Sequence, residues 1–207
     1  MIRDYRPYYI KKLDLLFRDW YAGHFLRPQF RHLGKNCTFM KPWHVCVFGA
    51  PIDLGDYANV ITTPEHKVRH TVWSAEKGKG FITIGNYCLI CPGVRISSAT
   101  GVTIGESTMI ASGVYITDAD WHGIYDRTDY IGGTAPVVIG SNVWLGDSSI
   151  VCKGVAIGDN SIIGAGSVVT RDIPPNVIAA GSPAVPLRDL DTNRPMKTRE
   201  HWFADAA

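Results

Sequence analysis

Residues 139–169 read IGSNVWLGDSSIVCKGVAIGDNSIIGAGSVV. An aliphatic residue returns at every sixth place: Ile139, Leu145, Val151, Ile157, Ile163 and Val169. Four places after each of the first five stands a small residue: Val143, Ser149, Val155, Ser161 and Ser167. A fixed period this short marks a repeat architecture. Side chains two apart share one face of a strand, so the small residue and the next aliphatic point the same way. Gly140, Gly146, Asp147, Gly158, Asn160 and Gly164 crowd the places between, where tight turns and left-handed backbone are tolerated. Each six residues therefore predict a short strand and a corner. Three such sides predict one triangular coil of about eighteen residues, with the aliphatic positions filling the prism axis. No single coil buries its own apolar side, so stacking is what stabilises the array.

Working outward, regular coils also start at Ile84 and Ile104, and Ile104 to Ile139 is 35 residues, which leaves a protruding loop over 118–136 (DADWHGIYDRTDYIGGTAP). A long loop on a rigid scaffold is where function concentrates. Toward the N-terminus the period weakens. Leu33, Phe39 and Val45 are six apart, followed by Leu54 and Val60. The 30 residues from Leu54 to Ile84 imply an insertion, placed at 66–80 (HKVRHTVWSAEKGKG). Residues 1–32 lie outside the repeat. Tyr9, Leu13, Leu16, Phe17 and Trp20 recur at helical spacing, which predicts an amphipathic helix from about Pro7 to about Gly23, read as a cap on the first open coil. Prolines 174, 175, 183 and 186 end the repeat, and residues 188–207 form a tail with a short helix. The predicted division is a 1–32 helical extension, a 33–187 β-helix and a 188–207 tail.

At 207 residues, 45% hydrophobic and 19% charged, the chain reads as one globular domain with appendages. A formal net charge of +2 does not point to nucleic acid or a membrane surface. No apolar run is long enough to span a bilayer, and the N-terminal stretch has no signal-peptide core, so a cytoplasmic protein is expected. The five cysteines fall on small-residue slots: Cys37 and Cys88 on the inward one, Cys46, Cys91 and Cys152 on a corner one. They need neither disulfide nor metal. His66 and His70 form an HxxxH pair in loop-and-strand surroundings with no third ligand nearby, so no metal is expected.

The run NVWLGDSSIV…GVAIGDNSIIGAGSVVTRDIPPNVIAAGSPA (residues 142–184) resembles the C-terminal signature of the hexapeptide-repeat O-acetyltransferases, which include galactoside, maltose, nodulation and surface-polysaccharide acetyltransferases. The resemblance implies an all-β fold, a left-handed parallel β-helix. It implies transfer of an acetyl group from acetyl-CoA, as cosubstrate, to a hydroxyl of a sugar or polysaccharide precursor within a ternary complex. It also implies a homotrimer with shared sites. Similar enzymes carry a histidine in the loop before the NVW coil, which here is His122. Imidazole takes a proton near neutral pH, which suits a general base. The oxyanion donor in similar enzymes is the backbone N–H after the W-[IL]-G step, here Asp147. Asp118, Asp120 and Trp121 become candidates for acceptor binding or for orienting His122. CoA is expected along Trp144, Ala165, Gly166, Thr170 and Arg171, with Gly181, Ser182 and Pro183 near its base. Arg188 stands in for the lysine that relatives carry where this chain has Val185. Acceptor amines of sugar nucleotides or xenobiotics are alternatives within the same chemistry. A γ-carbonic-anhydrase-like metalloenzyme, nominating His66, His70 and His122, and a non-catalytic scaffold are rivals of other classes.

Overall fold

The computed structural model describes residues 7–74 and 79–204. Part of the Lys/Gly-rich stretch predicted within 66–80 lies outside the described residues. The chain winds through three sheets of six, eight and six strands, which form the three faces of a prism. The first face stacks His32–Leu33, Ile52–Leu54, Ile82–Ile84, Val102–Ile104, Val137–Ile139 and Ala156–Ile157. The second begins at Thr38–Met40 and ends with a hairpin of Val177–Gly181 and Ala184–Asp189; the third runs from Val45–Phe48 to Val168–Val169. All pairings between these strands are parallel except that hairpin.

The six-residue period sets the register. Leu33, Leu54, Ile84, Ile104, Ile139 and Ile157 stack on the first face, and Ile90, Ile110, Leu145 and Ile163 on the second. All of them are buried. Corners keep the left-handed backbone the sequence implied: Asn142, Asn160 and Asn176 have φ near +60°. Their amides hydrogen-bond in a ladder, Asn142 Nδ2 to Asn160 Oδ1 and Asn160 Nδ2 to Asn176 Oδ1, both 2.9 Å.

The N-terminal coils differ from expectation in two ways. The stretch 66–80 is not a single insertion, because Val68–Val72 is a strand of the third face, between Val45–Phe48 and Arg95–Ser98. The extra residues divide around it. Register then places Val47, not Val45, in the column with His70, Ile96, Ile116, Val151 and Val169. His70 thus occupies an aliphatic slot in the axis. It also moves Cys46 from a corner to a strand, opposite Arg69.

The first helix, α1 (Tyr8–Tyr21), forms as its spacing predicted, but none of its residues is buried. The following turns supply the cover over the first coil: Leu26 and Phe30 are buried with Leu33 and Phe39. Phe17 and Tyr21 of α1 meet Trp43 at ring-centroid distances of 5.9 and 6.0 Å. The tail runs back along the edge between the first and second faces. Leu190 N–H donates to Asn176 O (2.7 Å), Arg199 Nε to Tyr87 O (2.8 Å), and Phe203 of α2 (Arg199–Ala204) packs on Tyr57 and Tyr87. No helix among the described residues is long and apolar enough to cross a membrane.

Candidate active site

The loop 118–136 leaves the edge between the third and first faces. Its two limbs are laced together: Asp120 N–H donates to Gly133 O (2.9 Å), Gly132 N–H to Asp120 O (2.7 Å) and Ala135 N–H to Asp118 O (2.9 Å). Close packing at the neck requires glycine, since a Cβ on Gly132 would lie 2.4 Å from the His122 carbonyl oxygen.

Asp118 is fully buried. Its carboxylate accepts from Ser98 Oγ (2.8 Å) and from the N–H groups of Ala99 (2.7 Å), Thr100 (2.8 Å) and Gly101 (2.5 Å). A carboxylate so satisfied, with no solvent face, binds no acceptor; it fixes the turn 98–101 beneath the loop. That corrects its assignment as an acceptor ligand. Asp120 is partly exposed and both its oxygens lie 2.7 Å from Lys153 Nζ, one coil on. Trp121 donates its indole N–H to Tyr115 Oη (3.0 Å) and Thr117 Oγ1 (3.1 Å), so the ring is held against the third face.

His122 is exposed, with Nδ1 3.3 Å from the Asp129 carbonyl oxygen. A carbonyl accepts only, so as a hydrogen bond this contact puts a proton on Nδ1 and, in the neutral ring, the lone pair on Nε2. Asp129 was not singled out from sequence, nor was Lys153. The opposite charges of Lys153 and Asp120, at the same corner one coil apart, were the available signal.

The remaining candidates fall on a different edge. Asp147 follows Trp144–Leu145 of the second face and precedes Ile150–Val151 of the third. Its neighbours Gly146 and Ser148 donate their N–H groups to Ile163 O and Ser112 O, both 2.8 Å, while no described residue accepts from the Asp147 N–H. Ala165 and Gly166 lie one coil on, with Gly166 N–H donating to Asp147 O (2.8 Å). Gly166 has φ +68° and nothing within 4 Å of where a Cβ would sit. Gly181 joins this column through its N–H to Ser167 Oγ (3.1 Å), and Ser182 and Pro183 complete the exposed hairpin turn. Trp144 faces outward from the second face, 47% exposed.

Thr170 and Arg171 are exposed on the third–first edge, with the His122 loop. Arg188 lies on the outer hairpin strand opposite Ile178, lining a hollow with Asp191, Arg194 and Met196. One chain therefore does not gather these residues into one site. His122 stands on one edge of the prism and the Asp147–Gly166 column on another.

The thiols and other histidines supply no rival centre among the described residues. Burial pushes the Cys88 thiol up to about 12 and raises those of Cys91 and Cys152, so they are held protonated. His70 points into the axis and His66 is exposed, and no group of three or more His, Cys, Asp or Glu side chains converges among the described residues.

Comparison with known proteins agrees with this architecture. The family described as "Bacterial transferase hexapeptide (six repeats)" matches residues 136–171, and "Hexapeptide repeat of succinyl-transferase" matches residues 81–118. The galactoside O-acetyltransferase of Lactococcus lactis subsp. lactis is 31% identical over 178 residues, 85% of this chain and 70% of that one. That of Escherichia coli (strain K12) is 41% identical over 106 residues, 50% of each chain. The chain thus spans about half the length of several curated relatives it matches. A solved hexapeptide-repeat-containing acetyltransferase from Vibrio cholerae superposes with a TM-score of 0.57 at 26% identity, covering 87% of this chain and 88% of that one. Prism and corner chemistry define a β-helical scaffold of hexapeptide repeats. The chain belongs to the hexapeptide-repeat acetyltransferase family.

Proposed function

We propose that the protein is an acetyl-CoA-dependent O-acetyltransferase that acts on a hydroxyl of a sugar or polysaccharide precursor. The observation that carries this reading is the setting of His122: a solvent-facing imidazole at a braced loop neck, with Nδ1 toward Asp129 O. Nε2 takes the acceptor proton as the hydroxyl oxygen attacks the thioester carbonyl. The new C–O bond forms, the C–S bond breaks, and CoA leaves as thiolate. The Asp147 N–H holds the oxyanion. Asp120, paired with Lys153, acts in positioning the loop that carries His122.

CoA lies along the Ala165–Gly166 column and the 181–183 turn, with Trp144 beside its arm and Arg188 toward its phosphates; Thr170 and Arg171, on the His122 edge, reach the same CoA from the neighbouring copy. The separation of His122 from the Asp147 column supports a C₃ homotrimer in which one copy supplies the base and its neighbour the donor groove. The left-handed winding, the 33–187 transferase domain flanked by the two extensions, and a cytoplasmic location belong to the same reading.

Acetyl-CoA titration by calorimetry, with wild type and His122→Ala side by side, tests it. Both are expected to bind alike, while acetyl transfer to sugar acceptors falls about 10²–10⁴-fold in the variant. Absence of binding by either protein overturns the proposal.

A further inference from the structure

Between the outer side of the third face and the loop lies a cleft of about 560 Å³. One wall is Phe48 and Trp73, their ring centroids 4.5 Å apart; Phe48 ends one third-face strand and Trp73 directly follows another, Val68–Val72. The other wall is Trp121 and Tyr130, one from each limb of the loop, with Ile131 beside them. Phe48, Trp73 and Tyr130 are 54%, 51% and 88% exposed. So large an open aromatic surface marks a binding site more often than a bare surface.

Among the described residues the polar side-chain groups that line this cleft are Ser74, the Tyr130 hydroxyl and the Trp73 indole N–H; the Trp121 N–H donates to Tyr115 and Thr117. No acidic, basic or amide side chain lines it among the described residues. A free sugar entering would give up hydrogen bonds to water for few in return. Among the described residues of this lining a diphosphate would find no cation. A flat apolar ring loses nothing and gains stacking against ring faces.

We infer that this cleft anchors a neutral, planar apolar ring carried by the acceptor beside the hydroxyl to be acylated. Calling that molecule an acceptor rests on the transferase reading above; the ring preference rests on the cleft alone. Trp121 adjoins His122 in the chain, so a ring seated against it leaves its hydroxyl-bearing part at the loop neck.

The test compares three glucose derivatives without CoA, by calorimetry: phenyl β-D-glucopyranoside, methyl β-D-glucopyranoside and UDP-glucose. The phenyl glucoside should bind at least about ten-fold more tightly than the other two. Trp73→Ala and Tyr130→Ala should each remove most of that advantage and leave acetyl-CoA binding unchanged. Tyr130 sits on the exposed loop, so its variant remains informative if Trp73→Ala fails to fold. Equal or tighter binding of the methyl glucoside or UDP-glucose overturns the inference, as does a phenyl preference that survives either folded variant. Failure of the transferase reading would show separately, as absent CoA binding in wild type.

Discussion

The coil at 139–157 and the coil at 54–82 follow one plan and differ in what fills the axis. In the first, Ile139, Leu145 and Val151 meet at the centre, all buried. In the second, Leu54 and Val60 meet His70, whose Nδ1 has no hydrogen-bond partner and whose pKa burial lowers to about 4. The shape of a coil thus tolerates a polar residue in its axis; its stability should not tolerate it equally at every pH.

The largest expected effect lies in the regular coil. Leu145→Ala should lower the unfolding free energy by about 2–5 kcal/mol in urea titration, because the prism walls cannot collapse into the gap. A loss well below that range would mean that the coils slide to refill it, and the contrast with the second coil would blur.

Acid comes next. Above about pH 6.5 His70 is neutral both folded and unfolded, so it contributes no slope. Below that, the unfolded chain takes up a proton that the folded one refuses until near pH 4. Stability should therefore fall by roughly 2–3 kcal/mol between pH 6.5 and 4.5 on this account. His70→Ile should remove that part of the slope. An identical pH profile in wild type and variant would place the acid sensitivity elsewhere.

The smallest effect concerns the tail. Phe203→Ala removes a ring from the Tyr57–Tyr87 stack and should cost about 1 kcal/mol, read as a small downward shift in Tm. A shift as large as that of Leu145→Ala would make the tail part of the core.

These residues also explain how much the sequence disclosed. The six-residue period foretold the axis wherever an aliphatic marks each turn, from Ile84 onward. It failed at Val68–Val72, where a histidine holds the axial place and inserted residues on both sides hide the strand. Asp118 looked like a loop residue because sequence displays its carboxylate but not the three backbone N–H groups that converge on it. The division of the site between two edges was legible in principle. Asp147 follows a second-face aliphatic and Thr170 a third-face one, so counting sides would have separated them. The aromatic cleft was not legible, because Phe48, Trp73 and Tyr130 are 25 or more residues apart and meet only through the winding of the coils.

The buried carboxylate of Asp118 has a consequence for how such a scaffold can change. It seals the break in the ladder from below, using donors of the preceding coil. The winding resumes at Val137 in register with Val102. Between those two points the chain is, in effect, a cassette. Its length and lining can be exchanged without disturbing a single axial contact, while the prism and its corners stay as they are.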